Sequence, residues 1–344
     1  MIRSATSIGI AVCASLIATT QLVTTLAFAQ GTPLEIKYAS SAPPKTVWAM
    51  QTERYVDDVN AESKGTMKVN AFIGSQLGSE QDTIQQVARG RIEMGGYSLT
   101  AVSLVMPELS ILSIPFLFKS AAEQDCVLDS KGVSDLTGSM LAKKGLEFLG
   151  WSEVGTTHFM AKKPILVPDD IKGLKARSQP SKIGAYIWTT FGANPNPLPV
   201  TEWNSAVQTG LVDVGDVSPT YYHFAGLGKL APVLTLSAHQ DLAGLIVMNK
   251  PFFDKLTAEQ KAAISASRKK FPDGQLRAEV RGFEGKILEM HKAGGGQVVE
   301  MSDAQRAVWQ KAMEPQFAKI VADIGGEAGV MWTATQDALK TCRK

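Results

Sequence analysis

Hydrophobic positions along this chain keep two periods, two and about 3.6, and segments of each kind alternate. Leu34-Glu35-Ile36-Lys37-Tyr38 has period two, and Met67, Val69, Ala71 and Ile73 share one face of a second such segment. Both read as strands. Between them, residues 46–62 carry Trp48, Tyr55, Val56 and Val59 on one helical face and stop at Ser63-Lys64-Gly65, a glycine turn. Ser79 with Asp82 resembles a helix cap, and the helix it opens turns Ile84, Val87 and Ala88 inward before Gly90. A short strand over 92–97 follows. The order strand-helix-strand-helix-strand requires parallel pairing with right-handed crossovers.

The same alternation returns downstream. Residues 145–150, 174–177, 212–214 and 243–249 read as strands, and 181–191 and 201–209 as helices. Residues 194–199 hold three prolines and read as a loop. Leu276, Val280, Phe283, Ile287 and Met290 are spaced four, three, four, three, which predicts one long helix over 271–293 that ends at Gly294-Gly295-Gly296. Ser302 and Gln305 form a capping box for the last helical region. There is no internal repeat and no low-complexity tract. The pattern is that of an α/β protein.

The N-terminus changes the picture of where the chain works. Arg3 precedes an apolar run over 8–26, and Ala27-Phe28-Ala29 places small residues where a signal peptidase reads them. Thr19, Thr20, Gln21, Thr24 and Thr25 break the run, so a cleaved secretory signal, cut after Ala29, is expected over a membrane anchor. Cys13 comes too early for a lipoprotein site and follows the bulky Val12. Residues 30–344 exceed what one compact core holds, so two domains are expected. The whole chain carries a formal charge of +2, and Arg3 is the sole charged side chain before the cleavage point. Such a balance gives no field to attract nucleic acid. An oxidising compartment permits a bridge between Cys126 and Cys342, and two free thiols are equally open at this level.

Chemical motifs are scarce. The four histidines, His158, His223, His239 and His291, form no His-x-x-x-His pair, and neither mature cysteine has a neighbour at metal-ligand spacing. No Gly-x-Ser-x-Gly elbow or phosphate-binding loop occurs, and Gly226-x-Gly228 reads as a turn. No metal, cofactor or catalytic residue is expected from this pattern.

Three stretches together resemble the solute receptors of tripartite ATP-independent periplasmic (TRAP) transporters, the dicarboxylate-receptor-like family. The first runs from Gly74-Ser75-Gln76-Leu77-Gly78 through Pro107-Glu108-Leu109-Ser110 to Ile114-Pro115-Phe116-Leu117-Phe118. The second is Asp170-Ile171-Lys172-Gly173-Leu174-Lys175-Ala176-Arg177, continuing to Phe191-Gly192-Ala193-Asn194-Pro195. The third comprises residues 202–206, Gln208-Thr209-Gly210-Leu211-Val212-Asp213, and Met248-Asn249-Lys250 with Phe252-Phe253. The resemblance spans nearly the whole mature chain in one order. It implies a two-domain periplasmic-binding-protein fold with an interdomain ligand cleft and a long hinge helix. Domain I would hold 31–154 and 243–282, and domain II 155–242 and 283–344. The implied function is a periplasmic receptor that binds a small organic anion, a carboxylate, and delivers it to the TRAP membrane subunits. A receptor of another uptake or sensory system with this fold, and a secreted enzyme, are the alternatives.

By the same resemblance, Arg177 is the residue that takes the ligand carboxylate. It ends a strand, and its guanidinium can hold a carboxylate through two parallel hydrogen bonds. Many relatives have a second arginine where this chain has Thr157, so one carboxylate is held firmly and a sugar-acid or dicarboxylate preference stays open. Asp216 and Ser218 stand before Pro219 in place of the family's acid and asparagine, and Val200 replaces a phenylalanine lid. These departures point away from sialic acid and simple C4-dicarboxylates. Trp48, Ser98, Glu80, Tyr221 and His239 complete the candidate set. For Trp48 and His239 core packing is an equal reading, and for Glu80 a favourable first-turn helix charge. Trp151, Glu153 and Tyr222 are further candidates near the domain edges.

Overall fold

A computed structural model describes residues 32–343, so the secretory segment expected at 1–29 lies outside the described residues. The first half of the chain builds β1 (Leu34–Ser40), α1 (Val47–Glu62), β2 (Met67–Phe72), α2 (Glu80–Ala88), β3 (Met94–Ser98), α3 (Leu99–Val102), α4 (Ala121–Asp129) and α5 (Lys131–Lys143). Thr46 caps α1, its hydroxyl accepting from the Ala49 N–H at 3.3 Å. The helix buries Tyr55, Val56 and Val59 against β1 and β2, each such side chain contributing about 1.5–3 kcal/mol. Ser79 caps α2 as the sequence predicts, accepting from the Asp82 N–H at 3.2 Å and donating to its carboxylate at 2.7 Å.

The chain then runs through β4 (Leu146–Ala161), β5 (Lys175–Ser178), α6 (Lys182–Thr190), β6 (Asn194–Pro197), α7 (Trp203–Gln208), β7 (Val214–Val217) and α8 (Pro219–Phe224). After β8 (Val233–Asn249) come α9 (Lys250–Lys255), α10 (Ala258–Lys270), α11 (Asp273–Ala293), β9 (Gln297–Glu300), α12 (Asp303–Met313), α13 (Phe317–Ile324) and α14 (Ala328–Cys342). The capping box expected before α12 is present, with Ser302 and Gln305 each bonding the other's backbone N–H.

Among the described residues one nine-stranded sheet has the order β2-β1-β3-β8-β4-β7-β5-β6, with β9 added to β8. It divides into two half-sheets. In one, β1 pairs in parallel with β2 and β3. In the other, β5 pairs in parallel with β6 and β7. The antiparallel strands β4 and β8, 16 and 17 residues long, run through both. At about 3.3 Å per residue each spans roughly 50 Å. Their pairing shifts register beside Gly150, Gly155 and Phe159. Bulges of this kind bend a strand and raise its twist, which lets one pair serve two half-sheets facing different ways.

Three findings differ from the sequence reading. The strands at 145–150 and 243–249 are the ends of much longer elements, because their continuations pair across half-sheets instead of stopping at local turn signals. The proline-rich segment 194–199, read as a loop, includes strand β6. It lies at the sheet edge, where Pro195 and Pro197 need no N–H on the open side. Helices α4, α5 and α10 were not anticipated, although Ser120, Ser130 and Thr257 cap them and Thr257 with Gln260 forms a capping box of the kind read at Ser302.

Helix α11 begins at Asp273 and touches α1 on one side and α8 and β9 on the other, so it bridges the two half-sheets. The last helix, α14, packs on α4, α5 and the 3₁₀ turn Pro107–Ser113. There Cys126 and Cys342 form a disulfide with Cα atoms 5.8 Å apart, which settles the alternative left open by the sequence.

Candidate functional site

The carboxyl ends of the parallel strands in both half-sheets open on one cavity of about 160 Å³. That is room for roughly ten waters, or one small organic molecule, at 10–15 Å³ for each water-sized sphere. Ligands of open α/β sheets lie beyond the carboxyl ends of the strands, and the cavity obeys that rule. Its floor comes from the middle of β4 and β8, with Glu153, Val154, Thr157 and Leu242.

Arg177 is the last residue but one of β5. Period two sends Ala176 into the core and Arg177 to the opposite face, towards the cavity. The side chain is only 4 % exposed. Its Nε donates to the Leu198 carbonyl at 3.0 Å, and its guanidinium lies 4.7 Å from the ring centre of Trp203. One edge is thus tied down and one face is backed by an aromatic ring, worth about 0.5–2 kcal/mol where desolvated. Among the described residues no carboxylate comes within 4.0 Å of this guanidinium. Burial lowers its pKa, while Asp216, Tyr221 and Glu80 act at longer range in the opposite sense. A buried cation without an ion-pair partner is costly, and an incoming anion removes that cost.

Trp203 holds its place because β7 has a glycine opposite it. A Cβ on Gly215 would meet the indole at 2.5 Å and lie 3.4 Å from the Arg177 Cβ. Trp203 was not singled out in the sequence, although it follows Glu202 inside one of the family-like stretches.

Asp216, next along β7, is 6 % exposed. Its Oδ2 faces His239 Nε2 at 3.2 Å and its Oδ1 has no hydrogen-bond partner. His239 is packed behind the cavity wall, its ring stacked on Phe159 at 4.5 Å. Its Nδ1 lies 2.7 Å from Ser237 Oγ, and Nε2 lies 3.3 Å from Thr157 Oγ1. Thr157 donates to the Gln240 carbonyl at 3.1 Å, so an Nε2–H tautomer of His239 satisfies all these contacts.

On the other wall Glu80 accepts from the Ser98 N–H at 3.0 Å and from its hydroxyl at 2.9 Å. Burial raises the Glu80 pKa, opposed by these two bonds and by the charge of Arg177. Ser98 and Ser218 also cap the short helices α3 and α8. Tyr221 donates to the Val200 carbonyl at 3.2 Å. Several lining groups have buried polar atoms with no partner: Trp48 Nε1, Tyr55 Oη, Gln81 Oε1 and Trp203 Nε1, besides Asp216 Oδ1.

The structure therefore brings Arg177, Ser98, Thr157, Ser218, Asp216, Trp48, Glu80 and Tyr221 to the wall of one cavity, with His239 immediately behind. Trp151 and Tyr222 lie elsewhere. The Trp151 indole donates to the Leu128 carbonyl at 3.0 Å, and the Tyr222 hydroxyl to Ala231 at 2.6 Å, both in the core. Gln81, Gln179, Tyr55, Arg268 and Phe271 line the cavity without having been anticipated, since nothing in their local sequence marks them. Arg268 is spoken for, by the Leu149 and Trp151 carbonyls and by Asp273. Among the described residues no group of three or more His, Cys, Asp or Glu side chains is arranged to hold a metal.

A two-lobed α/β sheet with a cation-bearing cavity between its strand ends defines a solute-binding protein. Residues 38–323 match the family described as bacterial extracellular solute-binding protein, family 7, and this chain belongs to it. The 2,3-diketo-L-gulonate-binding periplasmic protein YiaO of Escherichia coli is 30% identical over 77% of this chain and 80% of its own length. The fold matches the sugar acid binding protein DctPAm of Advenella mimigardefordensis in complex with galactonate, with TM-score 0.84 and 25% identity over 90% of this chain and 99% of the other. A TRAP periplasmic solute-binding protein of Sulfitobacter sp. NAS-14.1 with bound β-D-galacturonate matches at TM-score 0.82 and 25% identity, covering 88% and 99%. The two-domain periplasmic-binding fold expected from the sequence is thus the fold of this chain, and its family is one of receptors.

Proposed function

We propose that this protein captures a small organic carboxylate in the cavity and delivers it to the membrane subunits of a TRAP transporter. The observation that carries this reading is Arg177: buried, fixed by Leu198 and Trp203, lacking an ion-pair partner, and facing the cavity. Two parallel bonds from a guanidinium fix the plane of a carboxylate as well as its charge. Relatives whose names specify diketogulonate and C4-dicarboxylate support an organic acid as the ligand.

In this reading residues 1–29 direct export and are removed, so the mature receptor works in the periplasm. Residues 31–154 with 243–282, and 155–242 with 283–344, act as two bodies that close about the bends of β4 and β8 and along α11. Closure excludes water and strengthens the bonds to Arg177. Ser98, Thr157, Asp216, Ser218, Trp48, Glu80 and Tyr221 surround the rest of the ligand, and His239 positions Asp216. No bond of the ligand is made or broken.

Mild denaturation of the purified mature protein, followed by mass spectrometry, is expected to release an intact organic acid. Calorimetry with D-galactonate, D-galacturonate and succinate should find at least one binder. Failure of every acid to bind a folded, ligand-stripped preparation would refute the proposal.

A further inference from the structure

Charges around the cavity are unevenly matched. Arg281 holds the Glu153 carboxylate through bonds of 2.8 and 2.6 Å while its NH1 and NH2 also bond Asp125, and Arg268 pairs with Asp273, so each of these charges has an opposite charge against it. Three charged side chains on the wall have none. Arg177 has no carboxylate within ion-pair distance. Glu80 is bonded only by Ser98, a neutral residue. Asp216 has His239 against one oxygen and nothing against the other, although the residue is 6 % exposed. The unmatched set is thus one cation and two carboxylates.

Hydrogen-bonding capacity is of both kinds, since Trp48 Nε1, Tyr55 Oη and Trp203 Nε1 are donors without partners on the same wall. Once a ligand carboxylate meets Arg177, the acceptors left are Glu80, the free Oδ1 of Asp216 and the buried, unpartnered Oε1 of Gln81. A carboxylate is an acceptor only, so the part of the wall formed by Glu80 and Asp216 calls for donors on the ligand. A second carboxylate placed there would meet two of its own kind, with no second arginine to receive it. Thr157 does not substitute, because its hydroxyl already donates to the Gln240 carbonyl.

We infer that the cavity selects acids that pair a single carboxylate with hydrogen-bond donors, hydroxyl or ammonium, and rejects dicarboxylates. The inference rests on the reading of Arg177 as the carboxylate anchor. It assigns Arg177 to the shared acid group, and Glu80 with Asp216 and Gln81 to the choice among acids.

Calorimetry on the ligand-stripped mature protein tests this with three probes: D-galactonate for hydroxyl donors, ectoine for a cationic donor with one carboxylate, and succinate for a second carboxylate. The tighter of the first two is expected to exceed succinate on the order of 10,000-fold, as in sites where polar groups are left unpaired by the wrong ligand. Glu80→Gln keeps the shape of the side chain and adds a donor. It should weaken the preferred probe and strengthen succinate, each by about tenfold. These opposite signs separate selection from a structural role, which would weaken both, and thermal melting verifies that the variant is folded. Succinate binding the wild type as tightly as the other probes, with binding lost in Arg177→Ala, overturns the inference and leaves the carboxylate receptor standing. Equal changes for both kinds of acid in Glu80→Gln also overturn it. No binding of any probe overturns both.

Discussion

Replacing Arg177 separates the anchoring of the ligand from the stability of the fold. In the folded protein the guanidinium makes one bond to the Leu198 carbonyl and one ring contact with Trp203, and has no ion-pair partner. Together these contribute about 1–3 kcal/mol, offset by the cost of burying the charge. Arg177→Ala should therefore shift the melting temperature by no more than a few degrees, at about 2–4 °C for each kcal/mol in a chain of this size. Ligand binding loses far more. Two charge-assisted hydrogen bonds at about 1.5–3 kcal/mol each amount to roughly 3–6 kcal/mol. At about 1.4 kcal/mol per decade, that weakens binding by a factor on the order of 100 to 10,000. Arg177→Lys retains the charge and loses the planar fork, so it should fall between, about 10- to 100-fold weaker than wild type. Calorimetry with the tightest-binding acid, beside thermal melting of each variant, measures both quantities. An unchanged affinity in a folded Arg177→Ala protein would remove the residue from the site and refute the reasoning.

Three further outcomes follow from the packing and the ionisable groups. Gly215→Ala puts a methyl 2.5 Å from the Trp203 indole, so it should cost about 1–3 kcal/mol and weaken acid binding by displacing the ring behind Arg177; unfolding and calorimetric curves that match wild type would contradict that packing. The Cys126–Cys342 bridge spans a sequence separation of 216, and loop-closure entropy puts its contribution at up to about 5 kcal/mol, so Cys342→Ser should show a clear drop in urea midpoint that reducing agent reproduces in the wild type. Glu284, on α11, faces the backbone of Gly155 and has one carboxyl oxygen without a partner. Burial first, then Glu153 and Asp241, push its pKa well above 4.5, while the Thr156 N–H and Arg281 oppose the shift. The folded state then holds a proton that the unfolded state releases, so the stability this group contributes is present below about pH 4.5 and lost as pH rises through the raised value. Glu284→Gln should gain on the wild type between pH 5 and pH 8 in urea midpoint, and a difference that does not change with pH would count against it.

Much of this protein was legible in local pattern. The period-two strands β1 and β2, the helical faces of α1 and α11 and the caps at Ser79 and Ser302 all follow from a window of a few residues, because the forces that set them act within such a window. Arg177 was legible too, through the stretch Asp170–Arg177, and so was the placing of Glu80 at a helix start, Ser98 after a strand and Asp216 shortly before Pro219. What the sequence by itself determined, then, was the class of fold and the arginine that lines its cavity. Tertiary structure alone decided the rest. That β4 and β8 continue across both half-sheets, and that the prolines of β6 fit a sheet edge, depends on partners far away in the chain. Cys126 meets Cys342 across 216 positions, Gly215 makes room for Trp203, and Glu284 presses on Gly155. Each is a contact between segments that carry no local signal for one another, and only the folded chain fixes their distance.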